Sequence, residues 1–321
     1  MIHIKARNAP EAYVEALTMM RLHGKEYPSR NGDVIALAEP ALLEITNPLE
    51  RVLFDPIRQA NPYFHVMEFI WMIAGANDVG WLEQFNARYR AYAEDDGKVH
   101  GAYGYRWTSH FRNNQLLSIH AMLRDDPSTR RAVLGMWDPS VDLQSKRDLP
   151  CNTHIYFRVL DEKLEMTVCN RSNDLIWGML GANVVHMTML QELLAQALKR
   201  ECGPYRVFTN NLHMYKSIPK FESIWETTLV HDPYRDLAIG HRLLGDGELL
   251  EKFLWGARDF MARGVERKYA CSWFNDVAKP MFAEYMWRKS GMKRPESYVK
   301  LIQDDAWKEA CRLWEEWHEK E

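Results

Sequence analysis

Residues 62–76, PYFHVMEFIWMIAGA, are apolar on nearly every side of the helix they predict. Such a helix has no face to give to water, so other layers of the chain have to enclose it. Pro62 near its start and Gly75 near its end mark the boundaries. Glu68 conflicts with the pattern, because it stands in the middle of the run. Either the helix turns that position to solvent, or the carboxylate is buried, hydrogen-bonded and shifted toward useful acid–base values. Trp71 and Met72 beside it argue for burial.

A chain of 321 residues, 46% of them hydrophobic, is long enough to bury this helix and a second long apolar helix at 183–199. Lys and Arg number 41 against 44 acidic residues, a net charge of -3, which argues against broad nucleic-acid binding. Cys151, Cys169, Cys202, Cys271 and Cys311 are too few and too irregularly spaced for a disulfide scaffold or a zinc site. No apolar leader and no apolar run of 18 residues is present. A reduced, soluble, cytoplasmic protein without membrane contact is the expectation.

The remaining pattern predicts helices over 10–24, 79–94 and 112–124, a turn at 27–33 and a glycine-containing loop at 100–107. Strands are expected at 131–137, 154–160, 163–171 and 205–215, with Asp161-Glu162 as a hairpin turn. After about residue 220 the chain turns to charged, Trp-rich amphipathic helices at 246–260, 274–289 and 303–321. The expected division is a core at 1–220 and a mainly helical extension at 221–321 packed on it.

Several residues are suited to chemistry. Cys151 follows Leu-Pro just before a strand; it is either a small core hydrophobe or, with arginines near, a thiolate nucleophile. Arg130-Arg131 and Arg171-Ser172 are compact donor sets that fit a phosphate, or else surface ion pairs. Asp174 and Asn183 carry no meaning by themselves.

Six stretches in order, however, resemble the thymidylate synthase superfamily, including its members that hydroxymethylate pyrimidine nucleotides. They are the Glu68 helix, GAYGYRW at 101–107, DPSTRR at 126–131, LPC at 149–151, RSNDLIWGMLGAN at 171–183 and HMY at 213–215. The resemblance implies an α+β, three-layer fold with a large mixed β-sheet and buried helices. It implies that Cys151 adds to C6 of a pyrimidine nucleoside monophosphate and that Glu68 moves protons. Arg171 and Ser172 would bind the phosphate, with Arg30 as a further ligand and Arg130 and Arg131 supplied by the other subunit of a homodimer. Asn183 would read the base, His213 and Tyr215 the sugar, and Asp174 the pterin of 5,10-methylenetetrahydrofolate. No metal is implied.

Three departures bear on the second half of the reaction. Asn152 follows the nucleophile where the family usually has His. Tyr89 and Tyr92, in ARYRAY, stand where folate-side tryptophans are usual. The chain ends in WHEKE rather than in the family's short apolar peptide. Water exclusion selects hydride transfer, which gives a methyl group; admitted water gives a hydroxymethyl group. These departures favour C5 hydroxymethylation over the reductive methylation of thymidylate synthase itself. Asn183 favours uracil, because one amide offers a donor and an acceptor to N3 and O4, although cytosine nucleotides also fit the family pattern, as ribose and deoxyribose both do. A non-catalytic nucleotide binder would need the arginines but not Cys151.

Overall fold

The computed structural model describes residues 1–144, 146–237, 240–292 and 296–319. In chain order its first elements are β1 (Ile2–Ala6), α1 (Ala9–His23), β2 (Gly24–Tyr27), β3 (Val34–Leu37), β4 (Ala41–Ile45) and α2 (Pro62–Ala74). After them come α3 (Tyr103–Tyr105), α4 (Gln115–Asp125), β5 (Val133–Gly135), β6 (Asn152–Leu160), β7 (Lys163–Asn170), β8 (Asn173–Asp174), α5 (Val184–Ala197), β9 (Glu201–Thr209) and β10 (Leu212–Tyr215). The C-terminal part holds α6 (Phe221–Trp225), α7 (Leu250–Arg263), α8 (Lys279–Ser290) and α9 (Asp305–His318). Residues 320 and 321, included in the helix expected to end the chain, lie outside the described residues.

The strands form two sheets, one in the order β1-β4-β9-β7-β6-β5 and a smaller one in the order β2-β3-β10-β8. The large sheet is mixed: β1 with β4 and β7 with β9 run parallel, and the other neighbours antiparallel. This is the α+β architecture with a large mixed sheet that the sequence resemblance implies.

Every residue of α2 is buried. The helix starts where the Asn61 side chain accepts from Phe64 N–H at 3.0 Å, and it ends at Gly75, whose φ of 73° lies in the left-handed region that favours glycine. It packs against α5 and against α7, α8 and α9. That double cover explains the apolar character all round. Polar contacts fix the C-terminal helices to it: Tyr63 donates to Glu315 at 2.7 Å, and Arg258 of α7 donates to the Ala74 carbonyl at 2.9 Å.

Four expectations need correction. The helix expected over 79–94 is two short 3-10 turns, Leu82–Gln84 and Ala87–Tyr92. Asn86 between them is extended and caps Arg88 N–H at 3.2 Å, so a local side-chain bond restarts the chain there. The loop expected at 100–107 contains α3, which continues as a wider turn to His110. Gly104 lets it lie on the end of α2, since a Cβ there would sit 1.7 Å from the Met72 carbonyl oxygen. The single strand expected over 205–215 is split at Asn210-Asn211 between the two sheets. Both asparagines cross-bond there, Asn210 N–H to the Asn170 carbonyl at 3.0 Å and Asn173 N–H to that of Asn211 at 2.9 Å. Finally, the chain before residue 46 contributes strands β1 to β4, which no sequence expectation included; they are four or five residues long, too short for a clear period. The β6–β7 hairpin turns at Asp161 and Glu162 as expected, both at positive φ (48° and 61°), the geometry of the twisted two-residue hairpin.

Candidate active site

Glu68, at the middle of α2, is 6% exposed. The Tyr89 hydroxyl donates to its Oε1. Its Oε2 is buried without a hydrogen-bond partner. His186 of α5 brings Nε2 to 3.6 Å from that oxygen and donates to the His65 carbonyl at 3.0 Å, so Nε2 carries the proton. Burial lowers the imidazole pKa to about 4 and keeps the ring neutral. Burial also pushes the Glu68 carboxyl up to about 7; the Tyr89 bond opposes the rise and the charge of Asp148 reinforces it. A carboxyl poised near neutrality is fit to both give and take a proton.

Cys151 stands at the entry to β6. Arg171 is fixed around it by backbone: its N–H donates to the Cys151 carbonyl at 3.0 Å, its Nε to that of Pro150 at 3.0 Å and its Nη2 to that of Leu149 at 3.2 Å. Its guanidinium also lies over the Trp137 ring at 5.6 Å, and its outer edge is exposed. The expected arginine is thus beside the thiol, but its effect is not the larger one. Burial raises the thiol pKa, and Arg171 only moderates that rise, while Asp148 and Asp174 add to it. Ser172, half-buried, follows Arg171 on the turn to β8.

Asp174 uses Oδ1 to accept from Ile176 N–H at 3.0 Å and from Trp177 N–H, which caps the helical segment that leads to α5. Its Oδ2 is buried and unpartnered, as is Nδ2 of Asn173. Asn183 donates from Nδ2 to the Asn173 Oδ1 at 3.3 Å. In β10, Leu212 and Met214 point inward, which turns His213 and Tyr215 outward with their rings edge to face at 5.1 Å. His213 is in register with Asp174. Tyr92 connects the parts: its ring is 5.6 Å from Tyr89, and its hydroxyl feels the charges of Asp148, Tyr215 and Asp174. The small sheet also carries Arg30, exposed on the Ser29–Gly32 turn beyond the Tyr215↔Val34 pair.

The other expected residues lie elsewhere. Asn152 is fully buried and donates to Asn170 at 2.9 Å, so it reaches the site only through the backbone of its neighbour. Arg130 and Arg131 are exposed at the start of edge strand β5. Conversely, the structure adds three residues that sequence reading passed over. Asp148, three positions before Cys151, accepts from Gly101 N–H at 3.1 Å. Tyr103 reaches the backbone N–H groups of Cys151 and Asn152, and His186 stands beside Glu68. The first two were visible only as chemistry-bearing types beside expected motifs; His186 gave no signal inside an apolar helix.

Residues 13–238 match the thymidylate synthase family. The chain belongs to that family. Three phage proteins named deoxyuridylate hydroxymethyltransferase are similar to it. The one from Pseudomonas phage M6 is 46% identical over 217 residues, which cover 67% of this chain and 62% of the relative. Those from Bacillus phage SP01 and Delftia phage PhiW-14 are each 33% identical, over 64% of this chain and 56% and 60% of the relatives. The chain thus spans about three-fifths of the length of these curated relatives. The family match covers every residue of the cleft described above, and the C-terminal helices α7 to α9 fall beyond it. Among the described residues, no group of three or more His, Cys, Asp or Glu is arranged to hold a metal ion, and no helix is long and apolar enough to cross a membrane.

Proposed function

We propose that the protein is a cytoplasmic C5-hydroxymethylase of a pyrimidine nucleoside monophosphate, with dUMP as the nucleotide. The observation that carries this reading is the Tyr89 hydroxyl on Glu68. A polar, water-compatible group stands at the catalytic carboxylate where the family's reductive members use tryptophan to keep water out. The names of the three phage relatives support the same product and the same base.

The orphaned polar atoms fit two ligands. Asn183 and Asn173 offer amide donors and acceptors for O4 and N3–H of uracil. The free Oδ2 of Asp174 suits the N–H donors of a pterin, and the exposed Tyr92 ring offers the pterin a flat contact. When bound, 5,10-methylenetetrahydrofolate supplies the one-carbon unit at the oxidation level of formaldehyde. The chain's own residues do the rest. Arg171 and Ser172 bind the phosphate, with Arg30 at the rim, and His213 and Tyr215 hold a sugar hydroxyl. Phosphate binding draws on the Arg171 charge, so the guanidinium stays beside the thiol while Cys151 attacks C6. Glu68 then takes the proton lost from C5.

A homodimer completes the site in this reading. Along β6 the residues His154, Tyr156, Arg158 and Leu160 are exposed, with Phe157 and Ile155 turned inward. The same open face carries the row Arg158, Glu165, Arg206 and Glu44. Such a face, with large side chains exposed and its charges already paired, suits burial against a second copy, which would bring the partner's Arg130 and Arg131 to the phosphate. The extension after residue 220 would then act as a brace for α2 and hence for Glu68.

The test is incubation with dUMP, UMP, dCMP or CMP and methylenetetrahydrofolate, followed by product mass and folate absorbance. A 5-hydroxymethyl nucleotide with tetrahydrofolate is expected from dUMP. A methyl nucleotide with dihydrofolate, or no product from any of the four, overturns the proposal.

A further inference from the structure

Asp148 is a carboxylate that the mechanism above leaves idle. It belongs to the short segment that delivers Cys151, and the loop after residue 100 lies against that segment. Gly101 N–H donates to Asp148 Oδ2 at 3.1 Å, and the Tyr103 hydroxyl reaches the backbone N–H groups of Cys151 and Asn152. The approach at Gly101 is so close that a Cβ would fall 2.4 Å from the same carboxylate oxygen. One oxygen is therefore tied down, and among the described residues no hydrogen-bond donor holds Oδ1. The charge of Asp148 acts on Glu68, Tyr89, Tyr92, Tyr103 and Cys151, the groups that line the reacting end of the cleft. His100, Arg106 and Arg171 act on it in return, and burial is the larger influence, raising its pKa above the ordinary carboxylate value.

Hydroxymethylation has two proton abstractions in one cleft, first from C5 and then from the water that attacks the methylene carbon attached to it. A single carboxylate that has taken the C5 proton is not free for the second. The charge of Asp148 raises the Glu68 carboxyl, so the two resist joint ionisation, and one stays ready to accept while the other can donate. We propose that Asp148 is the second carboxylate of the water-capture step: with Glu68 it holds the attacking water and receives its proton.

This rests on the hydroxymethylase reading. After C5 has lost its proton and the bond from the one-carbon unit to folate nitrogen has broken, the nucleotide carries an exocyclic methylene at C5, still joined to Cys151 at C6. Water oxygen forms a bond to that methylene carbon, and the π electrons move onto C5 and O4. The water proton passes to Asp148. The enolate then expels the Cys151 thiolate as C5=C6 re-forms. Nothing is oxidised, and folate leaves as tetrahydrofolate.

Asp148→Asn is the informative variant, because its amide oxygen can still accept from Gly101 N–H and keep the loop in place. Three measurements separate the steps: dUMP affinity without folate, covalent capture of 5-fluoro-dUMP with methylenetetrahydrofolate, and hydroxymethyl product formation. Fluorine at C5 stops the reaction before water enters, so capture reports only thiol addition and methylene transfer. The variant is expected to keep affinity and capture rate within about threefold and to lose roughly 100-fold in product formation. Added 2-mercaptoethanol should then intercept the waiting methylene as a thioether. Equal loss of capture and product would reduce Asp148 to a structural clamp, and undiminished product would remove it from the step; either overturns the proposal. If the unaltered protein makes a methyl product or fails to capture 5-fluoro-dUMP, the underlying reading falls as well, and that outcome is seen without the variant.

Discussion

The Tyr89 hydroxyl donates its hydrogen bond to Glu68, so a residue on the turn after α2 reaches back to the middle of that helix. The bond is made to the ionised form and opposes the burial that otherwise drives the carboxyl upward. Tyr89 therefore acts on the proton chemistry of Glu68.

Tyr89→Phe removes the bond and leaves the ring. The Glu68 pKa should rise above its value of about 7, and the acid limb of the kcat profile should move to higher pH with it. A loss of about tenfold at neutral pH, recovered in part toward pH 9, is expected from a charge-assisted bond of this kind. An unmoved acid limb would detach Tyr89 from Glu68. Tyr89→Trp should divert part of the product to the methyl nucleotide, visible as dihydrofolate.

Burying Glu68 has a cost that depends on pH. Its folded-state value of about 7 lies above the ordinary 4.5, so the fold binds the proton more tightly than the unfolded chain. Stability from this group is complete below pH 4.5 and is lost as pH rises to about 7. Glu68→Gln should be about 3 kcal/mol more stable than the parent at pH 8 and no different near pH 4, at about 1.36 kcal/mol for each tenfold change in acidity. Urea unfolding at the two pH values measures this. The variant should lose at least ~100-fold in turnover; lower stability at pH 8 would contradict the assignment.

Arg171 holds the Cys151 thiol pKa below what burial alone would give. Arg171→Leu should raise it further and slow alkylation by iodoacetamide at pH 8 by roughly tenfold, one pKa unit's worth of thiolate. Arg171→Lys should restore part of the rate. Faster alkylation in the leucine variant would mean that the side chain shields the thiol rather than activating it.

Asn183 and Asn173 present their amides as a connected pair. Asn183→Asp replaces a donor by an acceptor, which leaves uracil N3–H matched and O4 opposed, while a cytosine amino group gains a partner. The ratio of kcat/KM for dUMP to that for dCMP should fall by about 100-fold or more, the usual size of a mispaired buried polar contact. An unchanged ratio would remove Asn183 from base recognition.

If Arg130 and Arg131 serve the neighbouring subunit, two inactive variants should repair each other. Cys151→Ala and the double variant Arg130→Ala, Arg131→Ala, unfolded and refolded together, should recover about a quarter of normal activity, because half the dimers then hold one intact site. No recovery, with dimers present on gel filtration, would confine the site to one chain.

The local parts of this protein were legible in its sequence. A helix apolar on nearly every side and bounded by Pro62 and Gly75 has one way to be stable, and the structure encloses it between α5 and α7 to α9. The β6–β7 hairpin followed from two alternating runs and a two-residue gap. The motifs around Cys151, Arg171, Asp174 and His213 were readable because each is short and keeps its residues together. Tertiary structure alone decided the balance of forces on them. Only the fold shows that burial outweighs Arg171 at the Cys151 thiol, and that Asn152, next in sequence to that cysteine, faces Asn170 instead of the cleft. Only the fold gathers Asp148, Tyr89 and His186 around Glu68 from segments up to 118 residues away from it. Sequence pattern records which face of an element is apolar, whereas a pKa or an orphaned oxygen depends on what other elements bring within a few ångströms.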